Sequence, residues 1–588
     1  MPSILIKIMM KATVRNFDDR KVQREDIHII GRHSDLTEKG VAKALKENVY
    51  NDKEAWQKLF QLLFISLGVG FAVSGIVFFF AYNWADLHKF AKMGMAEGLI
   101  IVTTIFALLP KININIRNII LTGASVLVGV LFAVYGQIYQ TGANAYDFFL
   151  GWTVFVTLWV AVSNFAPLWL LYLVLVNTTF ILYSQQVAKD WSDIFIFTSL
   201  FIFNTIALIS AIAVSKLTKK INISNWFLYI VALSCIIYAT IGIIIGIFDY
   251  KNFSLVLSLT TITTFALGIW YGLKTKNRFY LSAIPFSLVV IMSALLLKAS
   301  TEFGMFLFVS LFVIGSVTLI IKVLIGFQKN NGRQSLAIKI LSVFGGILAS
   351  LAFLGFLFIA GLYDSEVGLF IVGAIFIAGA IFTSKKHNKK IILDTIIVSF
   401  FAIGFLLLGF AFATMDMNVN AICVLFIIIA LSAIIIAQNY ILSFISTLLI
   451  SGSILSLIVL NNSYGLIHIY IAAFVAIIAY FFLNEAKIIT TNNSFSKLYN
   501  PIRTGLAFSF LAGLAFVGKK GLLPISTDYI WISSLVTISA VIYLLRNLFE
   551  VLNINKTQHK VGIYIFAILA LLPTAFSPAI ASALVRNA

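Results

Sequence analysis

Residues 419–437, VNAICVLFIIIALSAIIIA, and residues 439–460, NYILSFISTLLISGSILSLIVL, are separated by Gln438 alone and hold no charged side chain between them. Each run is close to the roughly 20 residues an α-helix needs to cross a hydrocarbon core of about 30 Å. The apolar positions are continuous and do not alternate. They therefore read as spanning helices, which satisfy their own backbone groups in lipid, and not as strands of a barrel.

Runs of the same kind recur along the chain. Approximate limits are 59–82, 93–109, 118–136, 147–164, 166–184, 194–215, 225–247, 253–273, 279–297 and 302–326 in the first half. The second half gives 336–362, 367–384, 391–413, 419–437, 439–460, 464–483, 502–518, 528–549 and 561–585. The expected fold class is an all-α polytopic transmembrane bundle of about nineteen spans, each near bilayer length. Two places leave the count open: at Asn164 to Pro167 and at Gln438 to Tyr440, neighbouring spans meet with almost no loop.

Composition agrees. The 588 residues are 61% hydrophobic and 11% charged, with a mean hydropathy of +1.01. A soluble surface uses roughly a quarter charged residues, so a water-soluble enzyme is excluded. The net charge of +19 does not indicate nucleic acid. Its basic residues lie in short loops between apolar runs, where excess Lys and Arg mark the cytoplasmic side. With the N-terminus inside, the first 58 residues hold 12 of the 42 basic residues, later inside loops 22, and outside loops 8. The inside set includes Lys216, Lys219, Lys220, Lys385, Lys386, Lys389 and Lys390. Outside sit Lys89, Lys92, Lys189, Lys251, Lys298, Lys519, Lys520 and Arg586. The expected location is the cytoplasmic (inner) membrane, multi-pass, with a cytoplasmic N-terminus.

Three segments follow: a charged cytosolic helical head at 1–58, a transmembrane bundle of about ten spans at 59–326, and one of about nine at 327–588, divided by the polar connection from Lys322 to Lys339. In the head, Asp35 stands three residues before Glu38, a loose capping pattern, and Val41, Leu45 and Val49 recur at helical spacing. The head thus carries an amphipathic helix that lies on the membrane, on a neighbouring loop or on a cytosolic partner. Glycines at 68, 70, 75, 345, 346, 355 and 361 read as small residues that let helices approach. Cys235 and Cys423 lie in apolar segments and form no metal motif or disulfide framework.

Polar chemistry at membrane depth is sparse, so each instance is a candidate site. Glu97 lies inside the second span; His468, Glu302 and Asp394 lie near the ends of theirs. The densest polar stretch runs from Gly136 to Asp147 and holds no Lys or Arg. By the charge count it faces outward, beside the turn from Tyr82 to His88. A polar outer mouth is therefore expected from Asn83, Trp84, Asp86, His88, Glu97, Gln137, Tyr139, Gln140, Asp147 and Trp152. It suits a small-molecule or lipid ligand, or the entrance to a cavity. No phosphate-binding glycine loop, nucleophile elbow or zinc-protease helix occurs, so no catalytic residue, metal ligand or cofactor is assigned.

The stretch Ala81-Tyr82-Asn83-Trp84, followed by Gln137, Tyr139, Gln140, Asp147 and Trp152, resembles the membrane module known as domain of unknown function 2157, over roughly residues 15–185. Glu38-Lys39-Gly40 fits the short helical segment with which that module begins. From Leu336 onward, the span with Phe344-Gly345-Gly346 and its successors is similar to domain of unknown function 4401. That resemblance implies further apolar sequence beyond Pro573 to Ala588, so the chain is expected to stop early. Both imply uncharacterised bacterial membrane proteins and bring no substrate. The leading functional expectation is passage of a small solute through the bundle. The alternatives are a non-catalytic scaffold or sensor and a lipid- or envelope-modifying enzyme using Glu97 or Asp147 with His88.

Orientation is checked by reporter fusions. Fusions at Lys220 and Lys390 are expected to report the cytoplasm and one at Asp147 the outside; Asp147 on the cytoplasmic side would invert the whole assignment.

Overall fold

The computed structural model describes residues 22, 24–34, 36–82, 87–109, 112–139, 142, 144–217, 223–249, 255–299, 302–326, 336–386, 393–491, 493–518, 530–551, 554–565 and 567. Among these there is helix and no strand. The head contributes α1 (Arg24–His33) and α2 (Glu38–Asn48). Then follow α3 (Lys53–Tyr82), α4 (Lys89–Leu108), α5 (Ile114–Tyr139), α6 (Ala145–Val162), α7 (Ala166–Gln186), α8 (Asp193–Leu217), α9 (Asn225–Phe248) and α10 (Leu255–Thr275). The middle holds α11 (Arg278–Ala299), α12 (Phe303–Gly326), α13 (Leu336–Ile359), α14 (Glu366–Lys386) and α15 (Asp394–Thr414). The last are α16 (Val419–Ala437), α17 (Tyr440–Leu460), α18 (Leu466–Leu483), α19 (Glu485–Thr491), α20 (Asn493–Gly518) and α21 (Ile530–Val551).

Sixteen helices among the described residues, α3 to α18, are long and apolar enough to cross a membrane. The readings at 502–518 and 528–549 fall on α20 and α21, and the one at 561–585 lies mostly outside the described residues. Both doubtful junctions are true reversals. Between α6 and α7, the Trp169 indole donates to the Ser163 carbonyl (2.9 Å) and to Val160 (3.1 Å), which satisfies carbonyls left open at the end of α6. The backbone N–H of Tyr146, at the start of α6, meets Gln186 Oε1 at the end of α7 (3.0 Å), so the two run antiparallel. Between α16 and α17, Gln438 takes a left-handed φ of 49° and the Asn439 side chain caps α17 by accepting from Ile441 and Leu442. Asn420 and Asn461 exchange amide hydrogen bonds at the far end of that hairpin (3.0 and 2.9 Å).

Inside the membrane segments, hydroxyls and amides link helices that have little hydrophobic reason to associate in lipid. Asn177 on α7 and Asn204 on α8 pair reciprocally (2.7 and 3.2 Å). Thr240 on α9 meets Ser287 on α11 at 2.6 Å, and Ser451 on α17 meets Ser509 on α20 at 2.6 Å. Small residues set the close approaches. A Cβ on Gly345 would lie 2.7 Å from Val317, one on Gly346 2.6 Å from Val398, and one on Gly355 2.9 Å from Phe306. Gly68, Gly70 and Gly75 differ from that expectation, having no heavy atom within 4 Å of where a Cβ would stand. Gly361 is present for its backbone, with φ at 78°.

The described residues fall into two compact units. One is drawn from Met1–Trp56, Ile381–Asn388 and Gly409–Asn587, the other from Gln57–Ala380 and Lys389–Leu408. The head therefore belongs with the last helices of the chain. Its α2 is capped by Thr37, whose Oγ1 accepts from Gly40 N–H (3.3 Å); Asp35 lies outside the described residues. Val41 and Leu45 are fully buried with Ile27 of α1, and Ala486 of α19 packs against them.

Helix α6 is seated on α5 through Gly129, where a Cβ would stand 2.8 Å from the Trp152 ring. Gly129→Leu is expected to lower stability by roughly 1–3 kcal/mol through overpacking. Gly68→Leu, with open space around it, is expected to be near neutral. Unfolding midpoints in detergent compare the two.

Candidate functional site

The residues of the expected outer mouth go to different tasks. Asn83, Trp84, Asp86 and Gln140 lie outside the described residues. His88 is exposed at the N-cap of α4, its ring against Phe90 at 5.4 Å. Glu97 is exposed on the same helix. Gln137 and Tyr139 are exposed on the last turn of α5, Tyr139 lying 4.8 Å from the Tyr135 ring. Asp147 closes a capping box: its carboxylate accepts from the Asn144 N–H (3.0 Å) and orders the first turn of α6. The Trp152 indole donates to the Ser125 carbonyl at 2.6 Å while its ring covers Gly129. Trp152 thus fixes α6 against α5 while Asp147 orders the first turn of α6 itself, and the polar groups of both are engaged in these tasks.

A groove of about 500 Å³ opens between α3 and α4. It is lined by Ala72, Gly75 and Phe79 of α3 and Met95, Gly98 and Val102 of α4. Every one of these side chains is apolar, which suits an acyl chain and offers a charged solute nothing to bind.

The concentrated chemistry lies elsewhere, where α1 meets α19 and α20. The sequence reading missed it. His28 and Glu485 are 1% and 2% exposed, and His28 Nε2 lies 2.7 Å from Glu485 Oε1. Arg24 Nε stands 3.3 Å from the same oxygen, and the Tyr50 hydroxyl donates to Glu485 Oε2 at 3.5 Å. On the other side of the imidazole, Asn500 Nδ2 approaches His28 Nδ1 at 3.4 Å, and the Tyr499 ring stands edge-on at 5.5 Å. The Tyr499 hydroxyl donates to the Phe481 carbonyl at 2.9 Å. Arg503 lies over two rings, 5.3 Å from the Tyr499 centroid and 5.4 Å from that of Phe482.

Burial raises the Tyr50 phenol above its ordinary range, and the facing Glu485 carboxylate adds to this. Burial, followed by Glu485, raises Tyr499 likewise. Both phenols stay protonated through neutral pH and serve as donors. A carboxylate this deep is tolerated only because imidazole, guanidinium and phenol surround it. One signal in the sequence pointed here: Glu485 is the only acidic residue between Asp416 and Asp528, in a connection otherwise carrying Lys487, Lys497 and Arg503.

Two family models match. Residues 35–169 match a predicted membrane protein family (DUF2157), and residues 335–586 match a domain of unknown function (DUF4401). The chain is thus a multi-span membrane protein whose N-terminal and C-terminal parts are similar to these two families. No curated protein and no solved structure matches it. The joint spans both matched regions, with Tyr50 in the first and Glu485, Tyr499 and Arg503 in the second, while Arg24 and His28 precede the first.

Glu485→Ala is expected to weaken docking of α1 by roughly 3–5 kcal/mol, since it leaves buried partners without their carboxylate. Glu485→Gln, which keeps an acceptor for His28, is expected to cost less. Limited proteolysis of the head, followed by blotting for the N-terminus, measures the difference.

Proposed function

We propose that this protein is a membrane scaffold or sensor of the bacterial cytoplasmic membrane, in which the N-terminal head is held on the last membrane helices and transmits its state to them. The buried Arg24, His28 and Glu485 set carries this reading. A permanent structural contact is served as well or better by apolar packing, whereas a buried ion set is best attested where a protein needs register or switching. The cytoplasmic side is supported by the excess of Lys and Arg in the loops that share a side with the head. Parity supports the same arrangement. Sixteen spans separate the head from Glu485, and an even number of crossings returns the chain to the side it left.

Passage of a solute was the leading expectation from the sequence. The geometry favours the scaffold or sensor reading, because Asp147 caps α6, Trp152 fastens it to α5, and the groove between α3 and α4 is lined by apolar side chains.

The position of Gly31 on α1 faces Ile489 on α19, with 3.3 Å between a Cβ there and Ile489 Cγ2. Gly31→Cys with Ile489→Cys is expected to cross-link on mild oxidation of isolated membranes. An uncross-linked pair would mean the head is not docked. In a deletion strain, wild type is expected to restore whatever envelope defect is found, while His28→Ala fails to do so at equal abundance. If instead Glu97→Ala or Gln137→Ala fails and His28→Ala restores, passage through the bundle is the better account.

A further inference from the structure

Among the described residues, the joint brings more positive charge to Glu485 than that carboxylate balances. Arg24 and Arg503 supply two guanidiniums and Glu485 one negative charge. Arg24 lies 5.8 Å from the centroid of Tyr50, the ring whose hydroxyl meets Glu485, and Arg503 lies 5.3 Å from the centroid of Tyr499, the ring that meets His28. Two of their nitrogens are buried without a hydrogen-bond acceptor among the described residues, Arg24 Nε and Arg503 Nη1. Arg24 Nε is near enough to Glu485 Oε1 for an ion pair at 3.3 Å but poorly directed at it, and that oxygen is already bonded by His28.

The state of Arg503 is the more telling. A guanidinium has two faces, which stack on rings, and an edge of in-plane donors that fits the oxygens of carboxylate or phosphate. The rings of Tyr499 and Phe482 lie against the Arg503 guanidinium and the Tyr499 hydroxyl is one hydrogen-bond partner, while its buried Nη1 has no acceptor among the described residues. A buried donor left unmatched is costly, and more so when charged. The Arg24 side chain is 29% exposed, which opens the cluster to solvent at one end.

We infer that the joint between α1 and α20 binds a phosphate group through the donor edges of Arg24 and Arg503. The inference deepens the sensor reading: the phosphate is the signal, and it tightens the head on the membrane helices. The group comes either from a soluble phosphate or from the headgroup of an anionic phospholipid. Lys487 on α19 and Lys497 on α20 add to the positive field around it. Glu485 opposes the anion and holds the head in its absence.

The test uses the full chain in phosphatidylcholine nanodiscs in phosphate-free buffer, read by hydrogen exchange of the α1 amides. One arm adds inorganic phosphate at constant ionic strength made up with chloride; the other replaces part of the lipid with phosphatidylglycerol. Binding to the closed form alone slows opening by the factor one plus ligand over Kd, about tenfold at ten times Kd. Slowing in the first arm identifies a soluble source and slowing in the second a lipid source. Arg24→Gln and Arg503→Gln are expected to abolish the response and Glu485→Gln to enlarge it. Arg503→Lys, which keeps the charge and loses the planar edge, is expected to reduce it. No slowing in either arm, or an unchanged response in both glutamine variants, overturns the inference. Its failure is separable from that of the sensor reading: if exchange of α1 without any anion is as fast in wild type as in His28→Ala, the docking of the head through His28 and Glu485 is itself wrong.

Discussion

A peptide group in hydrocarbon has no water to bond, so every backbone donor and acceptor at membrane depth must find its partner within the protein. The shape of the membrane segments follows from that constraint. It selects helices and sets their length. It also forces each reversal to settle its free ends locally. At the α6–α7 junction the Trp169 indole reaches back to two carbonyls of the preceding helix end, and at the α16–α17 junction Asn439 caps the next helix with its own side chain. Such short turns work because a single polar side chain does what a solvated loop would do in water.

Association of the helices needs a second device, since lipid tails are as apolar as leucine. The chain uses glycine contacts, as at Gly129, Gly345 and Gly346, and single hydrogen-bonded pairs, as at Asn177 with Asn204. Trp152 combines both, placing its ring over Gly129 and its indole N–H on Ser125. The aromatic and acidic residues around Gly136 to Asp147 look like a ligand mouth when read in line. Once folded, part of that set is the fastening of α6.

The head obeys different physics because it meets water. There the hydrophobic effect is available, and α1, α2 and α19 share a small apolar core around Val41 and Leu45. Beside that core lies the carboxylate of Glu485, held by groups brought from the two ends of the chain. Such a set is expensive to bury and strongly directional, so it fixes one docking geometry and responds to the charge around it.

The sequence by itself determined that this is a helical membrane protein, where most spans lie, and which faces of the head are apolar, because those properties depend on local composition and on the period of the helix. It even supplied the parity that brings Glu485 to the side of the head. The identity of the site was decided by tertiary structure. His28 and Glu485 are 457 residues apart, and each read alone is an ordinary polar residue in a charged segment. Only when sixteen spans have folded back and forth does the imidazole meet the carboxylate, and no local pattern encodes a partner that distant. Conversely, Gly68, Gly70 and Gly75 carried a packing motif in the sequence and found no neighbour, since a small residue permits an approach without causing one.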